Sequence, residues 1–124
     1  TGKILRFTMW GTKTNANAAG SILLRWAGAT VFTFAIATNA DAWVVKGMIV
    51  KTGSNTQDIW AECMSSDTAG WDGASAATAG HAEMEFGTAT ATDTGTIALA
   101  LRNNGSENAS DTETQEGMVV EILN

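Results

Sequence analysis

Proline and tyrosine are absent from this chain, and cysteine and histidine occur once each. The lone Cys63 can form no internal disulfide and can give a metal at most one thiolate, so it reads as a small buried hydrophobe. The lone His81 would have to serve any Ser-His-Asp triad. With no Gly-x-Ser-x-Gly turn to present a nucleophile, it reads as a structural or surface residue. Charge is sparse as well: 16% of residues are charged, against about 25% in an average soluble domain. A surface so poor in charge is expected to be covered in part by something else. The charge present is acidic, with a formal net of −6 and an isoelectric point near 4.5, so a phosphate-binding face would stand against the field of the whole molecule and nucleic acid is not an expected partner. The longest apolar stretches are interrupted by Arg25, Thr33, Lys46 and Lys51, well short of the roughly 18 residues of a membrane span, and no charged-then-apolar leader opens the chain. Membrane insertion is not expected.

What is there is punctuation. About eight short apolar runs are each bounded by Gly, Asn, Asp, Ser or Thr, and none has helical spacing, which predicts an all-β sandwich or barrel. At 124 residues one domain is the default, able to bury roughly two-thirds of the surface its unfolded form exposes. The chain opens at Thr1 without Met and enters a strand within two residues, so a domain or processed chain cut from something longer is expected.

The first strand is predicted over Lys3 to Trp10, followed by a loop from Gly11 to Gly20 with no apolar residue larger than Ala. Ser21 to Ala27, a tight turn at Gly28 and Ala29, and Thr30 to Ala37 form a hairpin, with Ile22, Leu24, Trp26 and Phe32, Phe34, Ile36 each on one face. After a turn at Thr38 to Asp41, Ala42 to Thr52 is apolar on both faces: Trp43, Val45 and Ile49 on one, Val44, Met48 and Val50 on the other. Such a strand needs a partner on each side. Gly47 at its centre signals a bulge or a close backbone approach. Gly53 to Gln57 turns the chain into Asp58 to Met64, where Ile59, Ala61 and Cys63 alternate with Trp60, Glu62 and Met64.

Ser65 to Gly80 lacks strand character, and His81 to Thr90, Gly95 to Arg102 and Glu116 to Leu123 complete the set, with Asn103 to Gln115 a polar loop. Ile97, Leu99 and Leu101, then Met118, Val120 and Ile122, recur at period two. One hairpin and several long crossings favour a two-sheet antiparallel jelly roll over a meander barrel. The alternative, an immunoglobulin-like sandwich, lacks its paired cysteines around a core Trp.

Candidate sites are few. Trp71 and Asp72 lie on the long polar loop, where the indole, flanked by Gly70 and Gly73, is either an exposed stacking platform for a sugar or partner chain or an anchor folded inward to pin the loop. Trp10, Trp26, Trp43 and Trp60 sit in strands and read as core or intersubunit packing. Glu83 and Glu85 share a strand face, as a glycosidase pair would, but a solvated face is the simpler reading. Asp67, Asp72, Asp93, Asp111 and Glu113 offer loop oxygens for calcium, yet the twelve-residue Asp-x-Asp-x-Asp-Gly spacing is missing. No catalytic residue, metal ligand or cofactor is assigned. Asn104-Gly105-Ser106 and Asn108-Ala109-Ser110 match the glycosylation pattern and also suit turns.

Three stretches carry a resemblance: the opening Lys3-Ile-Leu-Arg-Phe-Thr-Met-Trp-Gly-Thr-Lys-Thr-Asn-Ala-Asn17, Trp43 with the Lys51-Thr-Gly-Ser-Asn-Thr-Gln57 turn, and the closing Asp111-Thr-Glu-Thr-Gln115 before a last apolar strand. The chain resembles, over nearly its whole length, the small β-sandwich domains at the C-terminal ends of tailed-bacteriophage virion proteins, found in tail fibres, tail spikes and capsid decoration proteins. The resemblance implies a jelly roll, commonly a homotrimer, displayed on the virion surface, with the major capsid protein or a host-surface glycan as partner and no enzymatic activity. A strand apolar on both faces and a weakly charged surface independently imply packing against another subunit. A carbohydrate-binding module of an adhesin or enzyme is the alternative function.

Overall fold

A computed structural model describes residues 2–14, 20–36, 40–67, 81–92, 97–103 and 112–123. Within them the fold is all-β with two antiparallel sheets, a β-sandwich. The strands are β1 (Ile4–Thr14), β2 (Gly20–Trp26), β3 (Ala29–Ile36), β4 (Ala40–Lys51), β5 (Thr56–Asp67), β6 (His81–Thr90), β7 (Leu99–Asn103) and β8 (Thr112–Leu123). One sheet has five strands in the order β6-β5-β4-β1-β8, the other three in the order β3-β2-β7.

The period-two runs form strands because each places its large apolar residues on one side of the pleat. Phe7 and Met9 of β1, Trp43, Val45 and Ile49 of β4, and Ile59, Ala61 and Cys63 of β5 meet Ile22, Leu24 and Trp26 of β2 and Phe32, Phe34 and Ile36 of β3 in one buried cluster. Leu99 and Leu101 of β7 pack against it. Cys63 is thus the buried hydrophobe expected. Full burial of each such aliphatic or phenyl side chain contributes about 1.5–3 kcal/mol.

The β2–β3 hairpin turns one residue earlier than the sequence pattern implies. Trp26 pairs with Ala29, and the two loop residues Ala27 and Gly28 both take positive φ, 52° and 84°. That mirror-image turn matches the right-handed twist of the flanking strands. Gly47 marks a close approach, with no register break on either side of it. A Cβ there would run into the Phe7 ring, the Trp60 carbonyl and the Ala61 backbone.

Several strands run further than the polar residues at their ends suggest. β1 continues through Gly11–Thr14, which reads as loop, because Gly11 lies under the Trp43 ring and beside the Thr114 carbonyl, with no room for a side chain. A register shift between Trp10 and Gly11 then re-aims the pairing with β8, so β8 begins at Thr112 rather than Glu116. β5 likewise extends to Asp67. β7 is shorter than expected, starting at Leu99.

One buried polar chain ties the layers together. The Trp26 indole N–H of β2 donates to Gln57 Oε1 of β5 at 3.2 Å, and Gln57 Nε2 donates to the Ala91 carbonyl at 3.0 Å. Gln57→Leu strands both buried partners, so we expect a loss of about 2–6 kcal/mol of unfolding free energy, roughly 1–3 per orphaned group, read as a lower urea midpoint at unchanged m.

Candidate interaction surface

The pairing registers sort the strand residues of the larger sheet into two faces. Phe7, Gly47, Ala61 and Glu85 follow one another across β1, β4, β5 and β6 on the inner face, and Arg6, Met48, Trp60 and Phe86 on the outer. The outer face is largely apolar. Trp10 is 40% exposed, Met84 56% and Phe86 73%, and Met48, Val119 and Leu123 join them. Trp60 and Phe86 face each other across β5 and β6, ring centroids 6.4 Å apart and tilted by 49°. With Met48, Val50, Asp58 and Thr88 they line an open cleft of about 490 Å³.

The second face of β4, expected to find a cover, is therefore covered by no strand among the described residues. Of the four strand tryptophans, Trp26 and Trp43 are core, whereas Trp60 and Trp10 belong to this outer face. Trp10 lies over Gly117 of β8, where any Cβ would meet its ring. Four charged residues of the face pair across strands, Arg6 Nε with Glu121 Oε2 at 2.7 Å and Lys46 Nζ with Glu62 Oε1 at 2.5 Å, while Asp58 stands exposed on the same face.

A second apolar stripe lies at the edge. Met118 and Val120 of β8 are in register with the buried Met9 and Phe7, and Ile122 with Leu5, yet Ile122 is 69% exposed and the other two are nearly half exposed. They point to the core side but beyond it, since three strands cannot cover five.

β6 reverses the simple reading of its own sequence. Glu83 and Glu85 share a face as expected, but it is the inner one: β5 pairing sets Glu83 opposite Cys63 and Glu85 opposite Ala61. Both are half-buried rather than fully solvated. Glu83 Oε2 accepts the Ala35 N–H of the β3 edge at 3.0 Å, closing the corner where the two sheets approach. Met84 and Phe86 are turned outward in consequence. Alternation with two acids was the signal for them in the sequence, but it indicates which residues share a face and not which face is inside.

Trp71, Asp72, Asp93 and Asp111 lie outside the described residues, as do the side chains of Asp67, His81 and Glu113. Among the described residues no group of three or more His, Cys, Asp or Glu is placed to hold a metal. No family model, curated protein or solved structure matches the chain.

The Glu83 contact has a measurable weight. Glu83→Ala should lower stability by about 1 kcal/mol through the freed Ala35 N–H, while Glu85→Ala should stay within roughly 0.5 kcal/mol, both read by urea unfolding.

Proposed function

We propose that the chain is a non-enzymatic virion surface domain that assembles with copies of itself as a homotrimer and either stabilises the capsid or contributes to host attachment. The observation that carries the self-assembly is the broad apolar outer face of the five-stranded sheet, from Trp10 to Phe86. Chains that work alone in water rarely expose a contiguous apolar patch above a few hundred Å². The sparse charge of the chain points the same way.

The virion setting rests on the resemblance of the opening, central and closing segments to phage surface domains. The jelly-roll reading draws on the pairing of β1 with β8, β2 with β7 and β4 with β5, as in a rolled-up hairpin, whereas β2–β3, β5–β6 and β1–β4 also pair within one sheet and depart from the standard jelly-roll order. β3 and β6, the remaining pair of that nesting, lie beside each other across the sheets. The major capsid protein is the partner on the particle, and a host-surface glycan the partner for attachment.

A second reading, a carbohydrate-binding module, is favoured by the Trp60–Phe86 cleft, where aromatic rings stand beside Asp58 and Thr88. Sugars bind to such platforms through their apolar faces and rim hydrogen bonds.

Light scattering across a dilution series from high to low micromolar tests the first reading, followed by co-sedimentation with virus particles stripped of the protein. The expected outcome is a mass of three chains and binding to the assembled shell but not to its free subunits. A monomer that binds glycans and no particle would establish the second reading instead.

A further inference from the structure

We propose that the cleft on the outer face of β4, β5 and β6 binds a quaternary ammonium group, with Trp60 and Phe86 against its methyl groups and Asp58 as its counter-ion. The site belongs to the single chain, so it goes beyond the assembly reading and does not rest on it. Trp10, Val119 and Leu123 lie toward β1 and β8, away from the cleft, and remain available to a partner copy.

Register builds the site. Two rows of outward side chains cross the sheet next to each other, Met48–Trp60–Phe86 and Val50–Asp58–Thr88. Residues two apart on one strand stand about 6.5–7 Å from each other on the same face, so a group seated over either ring is within reach of the Asp58 carboxylate. The rings are tilted by 49° with centroids 6.4 Å apart, which opens a trough between them. Its volume of about 490 Å³ falls in the range of small-ligand sites, about 300–1,000 Å³.

Charge identifies the occupant. Arg6 is held by Glu121 and Lys46 by Glu62, and Glu116 accepts the Thr12 hydroxyl at 3.2 Å. The Asp58 carboxylate is exposed and has neither a hydrogen-bond nor an ion-pair partner among the described residues. A carboxylate left bare beside two aromatic rings suits a cation, because the ring faces carry the negative part of their quadrupole. The net charge of −6 draws cations toward the chain and disfavours anionic ligands.

Hydrogen bonding selects among cations. A primary ammonium brings three N–H donors and a guanidinium five, and among the side chains lining the cleft only the Asp58 carboxylate and the Thr88 hydroxyl accept. A quaternary ammonium has no N–H to satisfy, and its methyl groups suit Met48, Val50 and the two rings. Phe86 is 73% exposed, so the cation stays partly hydrated and a single site binds with a Kd on the order of millimolar.

The test titrates the full chain with choline at low salt and follows the Trp60 indole N–H resonance, assigned through Trp60→Phe. We expect saturable binding, at least roughly fivefold tighter than that of the uncharged tert-butyl analogue of choline or of n-butylammonium. Asp58→Asn should weaken choline binding by about fivefold and leave the uncharged analogue unchanged, whereas Phe86→Ala should weaken both by about threefold. Both positions are exposed, so circular dichroism and the urea midpoint should stay at their wild-type values. An uncharged analogue that binds as well as choline, or a choline affinity untouched by Asp58→Asn, overturns the cation site. Tighter binding of n-butylammonium overturns the choice of a quaternary group. The absence of any saturable shift with choline overturns the proposal outright, and a neutral oligosaccharide that then shifts Trp60 leaves the carbohydrate-binding reading standing in its place.

Discussion

A sheet has two faces, and each additional layer can bury only one of them over its own width. In this protein the layers are unequal, five strands against three, and that inequality governs which apolar side chains are buried and which are left bare. The smaller sheet sits toward β6, where β3 runs beside it and Glu83 caps the β3 edge. The uncovered width, about two strands or roughly 10 Å, falls at β8. Hence Phe7 is buried while Val120, its register partner, is 42% exposed. Two side chains of similar apolarity at one level of one sheet differ only in whether a strand lies above them.

Register then carries this constraint across the sheet. Once β4 buries Trp43, Val45 and Ile49, pairing fixes the inner residues of β5, and β5 fixes those of β6. A one-residue slip in β6 would send Met84 and Phe86 inward and both glutamates out. The observed register does the reverse. It keeps the carboxylate of Glu83 within reach of the Ala35 N–H, and it leaves Phe86 beside Trp60 on the outside. Glycines mark the places where the backbone must give way to a ring: Gly47 under Phe7, Gly11 under Trp43, Gly117 under Trp10.

The sequence made the strand count, the hairpin, the core faces of β2 to β5 and the burial of Cys63 legible, because each depends on period-two spacing within a few residues. Strand ends were less legible. The polar Gly11–Thr14 and Thr112–Gln115 carry no apolar signal, and they are strand because they pair with each other, about a hundred positions apart. The interaction surface was half legible. A β4 apolar on both faces announced a bare side, but only long-range pairing adds Trp10, Trp60 and Phe86 to it. Trp71, the most conspicuous loop aromatic, lies outside the described residues, whereas Phe86 was inconspicuous among acids.

The division of labour between the faces bears on how such a domain can work. The buried cluster that holds the sandwich together lies wholly between the sheets, so the outer face of the larger sheet contributes little to keeping a single chain folded. Its exposed side chains can vary for contact without a cavity or strain term in the core, except at Gly117, which must stay small beneath the Trp10 ring. An exposed apolar sheet face is nonetheless a hazard for indiscriminate association. Here it is broken by two cross-strand ion pairs, Arg6 with Glu121 and Lys46 with Glu62. A partner that is not shaped to leave them intact must strand a charge, at a cost of several kcal/mol when buried. Exposed apolar area therefore supplies the drive to associate, and the paired charges set into it restrict which surfaces can answer.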